Sequence, residues 1–305
     1  MPKKSCNLDC VYCEIGPTSK YTLERAEYRP ANSIKGELKK VLTSGKVKFD
    51  YLTFTASGEP TLHSRLGEII AYSKKFTDKP ITVLTNSTLL WREDVRRDLC
   101  QADILLPSLD SANESTFRKI NRPAPGIKLS EIIDGLEKLC LDFSGEIWLE
   151  ILLVAGINDS EEEAWKLAAL IERLDLERIQ LNTVDRPPAV DWARPVPMET
   201  MKKFAEILGP KAEIVVDFAK KIQQGHARLL ESELLNVLAR RPLRDKDLVK
   251  LFASAAKKAK KILTQLEDSG SVTKRNFKDE TFYFLASGNG SACMQPGKID
   301  AEKER

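Results

Sequence analysis

Tyr51-Leu52-Thr53-Phe54-Thr55, then Leu66 to Phe76, then Ile81-Thr82-Val83-Leu84-Thr85: a β-favouring run, a stretch with Leu66, Ile69 and Ile70 at helical spacing, and a second β-favouring run. Two strands joined through a helix lie parallel, so this unit decides the fold class. Outward from it the alternation continues. Val95 to Cys100 is helix-like and Ile104-Leu105-Leu106 to Leu109 is a strand. Leu129 to Leu139 predicts a helix opened by Ser130, with Ile132, Ile133, Leu136 and Leu139 on one face. Strands are expected at Ile147 to Val154, Ile179 to Thr183 and Glu213 to Val216, and helices at Glu161 to Leu174 and Met198 to Leu208. The expectation is an α/β fold of the (β/α)6 type, a TIM-like barrel, whole or partial. In such barrels chemistry gathers at the C-terminal ends of the strands, so the residues just past each strand carry the functional weight.

Near Lys220 to His226 the pattern changes to short helices: Leu229 to Leu238, Asp245 to Phe252 after Pro242, and Ala255 to Leu266, which Gly270 ends. Ser271 to Arg275 and Thr281 to Phe284 then pair as a hairpin around Asn276 to Glu280. Three helices and a hairpin predict a small winged helix-turn-helix domain. The tail from Ser287 to Arg305, rich in Gly, Ser and charge, predicts disorder. The division expected is 1–220 for the core, 226–286 for the winged-helix-like domain and 287–305 for the tail.

Of the 305 residues 42% are apolar and 30% charged, which suits a globular chain with a sizeable core. The net charge of +3 gives no bulk argument for nucleic acid or membrane. Apolar runs fall well short of the roughly 20 residues of a membrane span. Met1-Pro2-Lys3-Lys4 leads into a cysteine cluster without an apolar leader, so a cytoplasmic protein without membrane contact is expected.

Three of the six cysteines fall in Cys6-Asn7-Leu8-Asp9-Cys10-Val11-Tyr12-Cys13. In a chain of this length and expected compartment they read as metal ligands rather than a disulfide framework. Three thiolates on one loop reach three corners of a [4Fe-4S] cube, which usually takes four. The iron left open could chelate the amino and carboxylate groups of S-adenosylmethionine and pass an electron to its sulfonium. A structural zinc is the alternative, but it wants a fourth ligand, and His63 and His226 lie far off in sequence. Cys100, Cys140 and Cys293 read as small apolar side chains or idle thiols.

CxxxCxxC with Tyr12 before the last cysteine resembles the signature of the radical SAM superfamily. Ala56-Ser57-Gly58-Glu59-Pro60-Thr61 resembles its GGEP element, with Ser57 in place of one glycine, a replacement that fits only at an ordinary backbone conformation. The resemblance implies that Cys6, Cys10 and Cys13 hold the cluster. It also implies that Gly58, Glu59 and Pro60 cradle the methionine end of S-adenosylmethionine. Tyr12, Asn86, Ser108, Asp110, Glu150 and Asn182 are its next candidates around that ligand, although a lone polar residue at a strand end is more often a turn or cap. Tyr12-Cys13-Glu14-Ile15-Gly16, Ile120-Asn121-Arg122-Pro123 and Leu181-Asn182-Thr183 with Arg186-Pro187-Pro188 look like the prokaryotic relatives of the wybutosine-type tRNA modification Fe-S oxidoreductases. The likeness spans about Ser5 to Val216. Such proteins normally carry a barrel strand before the cysteine loop; five residues precede Cys6, so either the start is set too late or the barrel lacks its first strand.

Arg118, Arg122, Arg186 and Arg194 sit in expected loops and could face an anionic ligand or merely solvent. Lys257, Lys258, Lys260 and Lys261 lie opposite the apolar face of the third terminal helix, and Lys274, Arg275 and Lys278 lie on the hairpin. In a winged helix these positions meet nucleic acid; elsewhere they are a solvated face. His226 reads as a hinge residue. The function expected is an oxidoreductase-like enzyme that takes electrons from a reducing donor, cleaves S-adenosylmethionine to a 5′-deoxyadenosyl radical and acts on an unknown substrate, RNA being one candidate. The alternatives are an iron-sulfur redox-sensing, nucleic-acid-binding regulator and a glycyl-radical activating enzyme.

Overall fold

The structure, a computed structural model, describes residues 4–45, 47–215, 231–239, 241–252 and 256–286. It opens with a short parallel pair, β1 (Ser5–Cys6) and β2 (Lys20–Tyr21), and a helix, α1 (Ala31–Leu42). Then come β3 (Leu52–Phe54), α2 (Leu66–Ser73), β4 (Ile81–Thr85), α3 (Glu93–Leu99), β5 (Ile104–Pro107), α4 (Glu114–Asn121) and α5 (Leu129–Asp142). β6 (Glu146–Leu153), α6 (Glu161–Ile171), β7 (Arg178–Thr183), α7 (Met198–Leu208) and β8 (Ala212–Ile214) complete this part.

Strands β3 to β8 form one sheet in sequence order, and every neighbouring pair is parallel. The sheet does not close, so the barrel is partial. Burial along β6 alternates: Ile147, Leu149, Ile151 and Leu153 are buried while Trp148, Glu150 and Leu152 are half-buried. That two-residue period aims one set at the core, where Ile70, Val83, Leu105, Leu136 and Leu167 pack. Each such side chain withdrawn from water contributes about 1.5–3 kcal/mol. Among the described residues β3 has no strand on its outer side, and β1 pairs with β2 rather than with the sheet.

Three local expectations need correction. Helices α1 and α4 are additional. α2 stops at Ser73, three residues early. Ser130 does not open α5; it lies in the first turn, and the Leu129 N–H donates instead to Glu114 Oε2 at 2.9 Å. Elsewhere the caps follow the usual chemistry: the Asn113 side chain accepts from Ser115 N and Thr116 N, and Ser160 from Glu163 N.

The C-terminal part contains α8 (Glu231–Leu238), β9 (Leu243–Arg244), α9 (Asp245–Phe252), α10 (Ala256–Asp268), β10 (Val272–Phe277) and β11 (Glu280–Leu285). The strands form an antiparallel sheet in the order β10, β11, β9. Leu234, Leu248, Phe252, Leu263 and Val272 build a separate core beneath it. The hairpin is tighter than expected. Asn276 pairs with Thr281 and Phe277 with Glu280, and the turn is Lys278-Asp279, both left-handed at φ 48° and 60°. Its tip reaches the first part: Phe277 packs on Val11, Ile120, Val154, Val184 and Ala193. His226, Val216, Leu229, Ala255, Cys293 and the tail 287–305 lie outside the described residues. Among those described, no helix is long and apolar enough to cross a membrane.

Candidate functional site

The cysteine loop is built against residues more than 100 positions away. Asp9 N donates to Asn121 O (3.0 Å), Val11 N to Ile120 O (2.9 Å) and Ala124 N to Asn7 O (2.9 Å). Arg122, left-handed at φ 45°, ends α4 so that the chain can run back along the loop. Cys13 N donates to Cys10 O at 3.1 Å, which turns the loop on itself, and Gly16 (φ 91°) carries the chain away.

The second wall is the segment after β3. A Cβ on Gly58 would stand 1.8 Å from the Ser5 carbonyl oxygen, so glycine is required by the approach of the cysteine segment's own backbone. Glu59 N donates to that same oxygen at 3.2 Å. Ser57 keeps a negative φ, the condition under which serine replaces a glycine here. The buried Glu59 carboxylate accepts from Thr61 N (3.0 Å), Thr61 Oγ1 (2.6 Å) and Thr85 Oγ1 (2.7 Å) on one oxygen and from Asn86 N (2.7 Å) on the other. Burial raises its pKa, and those four donors oppose the rise.

Cys6, Cys10 and Cys13 line one solvent-open pocket, which Tyr12, Gly58, Glu59, Pro60, Asn86 and Ser108 also line. Among the described residues no three Cys, His, Asp or Glu converge as ligands of one metal ion. A [4Fe-4S] cluster takes one thiolate per iron, so its cysteines need not converge on a single point. Burial pushes the Cys6 thiol up to about 11 and raises Cys10 further, Asp110 adding to the latter. Loading therefore has to displace protons from both. Nδ2 of Asn7, buried beside Cys6, has no hydrogen-bond partner, and a bound sulfide would supply an acceptor.

Asp110 turns out to be a brace. Its Oδ2 accepts from Tyr12 Oη (2.5 Å) and Asn121 Nδ2 (2.6 Å), and its Oδ1 from Leu152 N (2.9 Å), tying the cysteine loop, α4 and β6 together. It lines a second, smaller pocket with Tyr12, Asn86, Ser108 and Asn121. Burial raises the pKa of Asp110, and burial followed by the Asp110 charge raises those of Tyr12 and Glu150. Glu150 joins its neighbours across the strand ends, accepting from Asn182 Nδ2 (2.8 Å) and Ser108 Oγ (3.3 Å). Glu150 and Asn182 line neither cavity.

Of the arginines, Arg118 pairs with Glu114 on its own helix and Arg194 donates to Asp191 O. Arg122 stands over the Trp192 ring. Arg186 bridges Glu14, next to Cys13, at 2.9 Å, Asp247 at 3.3 Å and Pro242 O at 2.7 Å. Arg244 adds Asp185 (3.1 Å), Asp247 (3.3 Å) and Glu280 (3.1 Å). The C-terminal part is thus ion-paired to the cysteine loop and to the end of β7. Sequence reading passes over Lys4, whose Nζ lies 3.0 Å from Cys13 Sγ. It also passes over Asn158, which donates to Asp110 O (2.8 Å) and Leu152 O (2.9 Å). Cys100 and Cys140 pack half-buried against the core, away from this cavity.

Comparison with known proteins agrees with this geometry. The UPF0026 protein MJ1312 of Methanocaldococcus jannaschii is 31% identical over 288 residues, 93% of this chain and 89% of that one. A Brachyspira hyodysenteriae protein named GTPase Obg is 32% identical over 275 residues, 89% of this chain, and the chain spans 40% of its length. A radical SAM methyltransferase from Sphaerobacter thermophilus shares the fold at 19% identity and a TM-score of 0.50, over 71% of this chain and 66% of that one. The Radical SAM superfamily model matches residues 2–168, across the cysteine loop, the Gly58-Glu59-Pro60 wall and β3 to β6. The chain therefore belongs to the radical SAM superfamily, a family of enzymes that use a [4Fe-4S] cluster and S-adenosylmethionine.

Proposed function

We propose that Cys6, Cys10 and Cys13 ligate the cluster, and that Gly58, Glu59 and Pro60 receive the methionine end of S-adenosylmethionine beside it. The single observation that carries this reading is the shared pocket: Cys6, Cys10, Cys13 and Glu59 line one space at the C-terminal ends of β3 and β4. When bound, the pair supplies one-electron reductive cleavage of a sulfonium and a 5′-deoxyadenosyl radical, the electron coming from a reducing donor. The chain's own residues orient and shield. The Thr61 and Thr85 hydroxyls hold one Glu59 oxygen, and the other accepts from Asn86 N and keeps a lone pair for an ammonium group. Asp110 and Asn121 fix Tyr12 over the cluster loop. Phe277 and the apolar residues beneath it keep water from that side of the barrel mouth.

The C-terminal part reads as a winged helix in a domain of about 226–286, after a core of 1–220 and before a tail of 287–305. Its hairpin tip is docked on the core, and Lys278, Lys274 and Lys260 are paired with Asp185, Glu267 and Asp245. The basic surface left for an RNA substrate is Lys257, Lys258 and Lys261 on α10, all exposed, with Arg275. The Glu59 wall and its pocket favour the enzyme over the regulator reading, because a sensor needs neither. A glycyl-radical activase needs no such basic surface. A cytoplasmic location goes with this reading.

The test is anaerobic reconstitution with iron and sulfide, reduction with dithionite, addition of S-adenosylmethionine and chromatography for 5′-deoxyadenosine. Product from the wild type and none from Cys10→Ala supports the proposal. An intact cluster without product overturns it. Salt-dependent tRNA binding that the triple change Lys257→Ala, Lys258→Ala and Lys261→Ala abolishes supports the RNA surface; binding that persists overturns it.

A further inference from the structure

Each of the three cysteine sulfurs receives one side-chain N–H, from three separate parts of the chain. Lys4 Nζ is 3.0 Å from Cys13 Sγ, Asn121 Nδ2 is 3.4 Å from Cys10 Sγ and Asn86 Nδ2 is 3.6 Å from Cys6 Sγ. All three donors are held in place by a second partner. Lys4 Nζ also donates to Gly16 O at 2.6 Å, Asn121 Nδ2 to Asp110 Oδ2 at 2.6 Å and Asn86 Nδ2 to Asn7 Oδ1 at 2.7 Å. Lys4 is nearly buried and lines the cavity with the sulfurs.

We infer that Lys4, Asn121 and Asn86 set the reduction potential of the cluster by hydrogen-bonding its three thiolate ligands, with Lys4 the dominant positioning residue; this rests on the cysteine assignment proposed above. A thiolate bound to iron keeps lone pairs that accept N–H donors. Reduction adds one electron to the cluster and thiolates together, with no bond made or broken, and a low-potential one-electron donor is oxidised in exchange. Donors aimed at the sulfurs stabilise the more negative, reduced form and raise the potential. Lys4 has the largest effect because it brings a full charge at the shortest distance into a poorly solvated site. Asp110 and Glu59 work in the opposite direction. Asp110 is shared with Cys10 through Asn121, and Glu59 stands on the Cys6 side of the cavity. The potential is therefore a balance between two carboxylates and three donors.

The test is a potentiometric titration of the reconstituted cluster, followed by electron paramagnetic resonance of the reduced form, in the wild type, Lys4→Met and Lys4→Arg. Lys4→Met is expected to bind iron and sulfide like the wild type and to titrate lower. At the wild-type midpoint its reduced-to-oxidised ratio falls about tenfold, which is about 59 mV for one electron. Lys4→Arg recovers most of the shift, and Asn121→Ser moves the potential the same way by less. A residue that merely braced the loop would change iron content without moving the potential of the cluster that forms. Lys4→Met and Asn121→Ser proteins with full clusters at the wild-type potential overturn the inference. Failure of the cysteine assignment is a separate outcome: Cys10→Ala would then retain the wild-type cluster.

Discussion

Replacing Gly58 by alanine puts one methyl group between the two walls of the site. Its Cβ would meet the Ser5 carbonyl oxygen at 1.8 Å and the carbonyl carbon at 2.6 Å. Both obstacles are backbone, so no rotamer relieves them, and the oxygen contact has to open to at least 3.0 Å. That movement stretches the Glu59 N–H bond to Ser5 O beyond bonding range, since it is already 3.2 Å long. Losing that bond costs about 1 kcal/mol, and forcing a methyl into a packed site costs about 1–3 kcal/mol. A destabilisation of about 3 kcal/mol lowers the melting temperature by about 6–12 °C. It also moves Cys6 relative to Glu59, so iron uptake on reconstitution falls with it. Differential scanning calorimetry and iron content, measured on the same preparation, test both effects. Gly36→Ala is the control. Gly36 is exposed in α1 with open space around its Cα, so alanine there is expected to stabilise by up to about 1 kcal/mol. Gly58→Ala protein that melts and loads iron like the wild type would refute the close-approach argument.

Three further outcomes are expected. Arg244→Met removes the pair to Asp185 that joins the C-terminal part to the end of β7, while Asp185, Asp247 and Glu280 keep Lys278, Arg186 and Lys246; the loss is about 1–3 kcal/mol, read as faster tryptic release of the C-terminal part, and unchanged digestion would count against the ion-paired interface. Cys6 titrates near 11 in the folded chain against an ordinary value of 9.0. The unfolded chain therefore loses that proton first, and cluster-free protein loses up to about 3 kcal/mol as pH rises from 9 to 11; urea unfolding across that window should show a shallower decline in Cys6→Ser, and parallel declines would contradict the raised Cys6 pKa. Glu59→Gln turns an amide N–H toward a donor, either Asn86 N or the Thr61 and Thr85 hydroxyls. About 1–3 kcal/mol of stability is lost with it, and calorimetric S-adenosylmethionine binding weakens; wild-type affinity would remove Glu59 from the site.

The strands were readable because each is a short apolar run between turn residues, and all six of the sheet lie within three residues of their expected positions. α1 went unread although Ala31, Ile34, Leu38 and Leu42 recur at helical spacing; in the fold that stripe is only half-covered, with Ala31 alone fully buried. α4 escaped because eight residues with Phe117 and Ile120 as apolar anchors are too few for a period to emerge. The turn Lys278-Asp279 lacks the glycine that marks most turns of its type. At the site, the cysteines were read from their spacing together with the chain's length and the family resemblance. Asp110 was legible as a polar residue after a strand, but not as a brace, because its partners Tyr12 and Leu152 are 98 and 42 residues away. The donors to sulfur were illegible for the same reason. Lys4 is near Cys13 in sequence, yet nothing in a lone lysine shows which way it folds, and Asn121 reaches Cys10 across 111 residues.

The backplate of the cysteine loop is Ile120 to Ala124, and this has a cost during biosynthesis. A ribosome adding about 5–20 residues per second needs roughly 6–22 s to pass from Cys13 to Ala124. Through that interval the three thiols are in the nascent chain without the carbonyls of Ile120 and Asn121 that shape their loop. Premature oxidation or scavenging of stray metal competes with folding for the whole of it. A cell making this protein gains from low oxygen or from a carrier that guards the emerging thiols, and yield of cluster-competent protein should track translation speed across the first 124 codons.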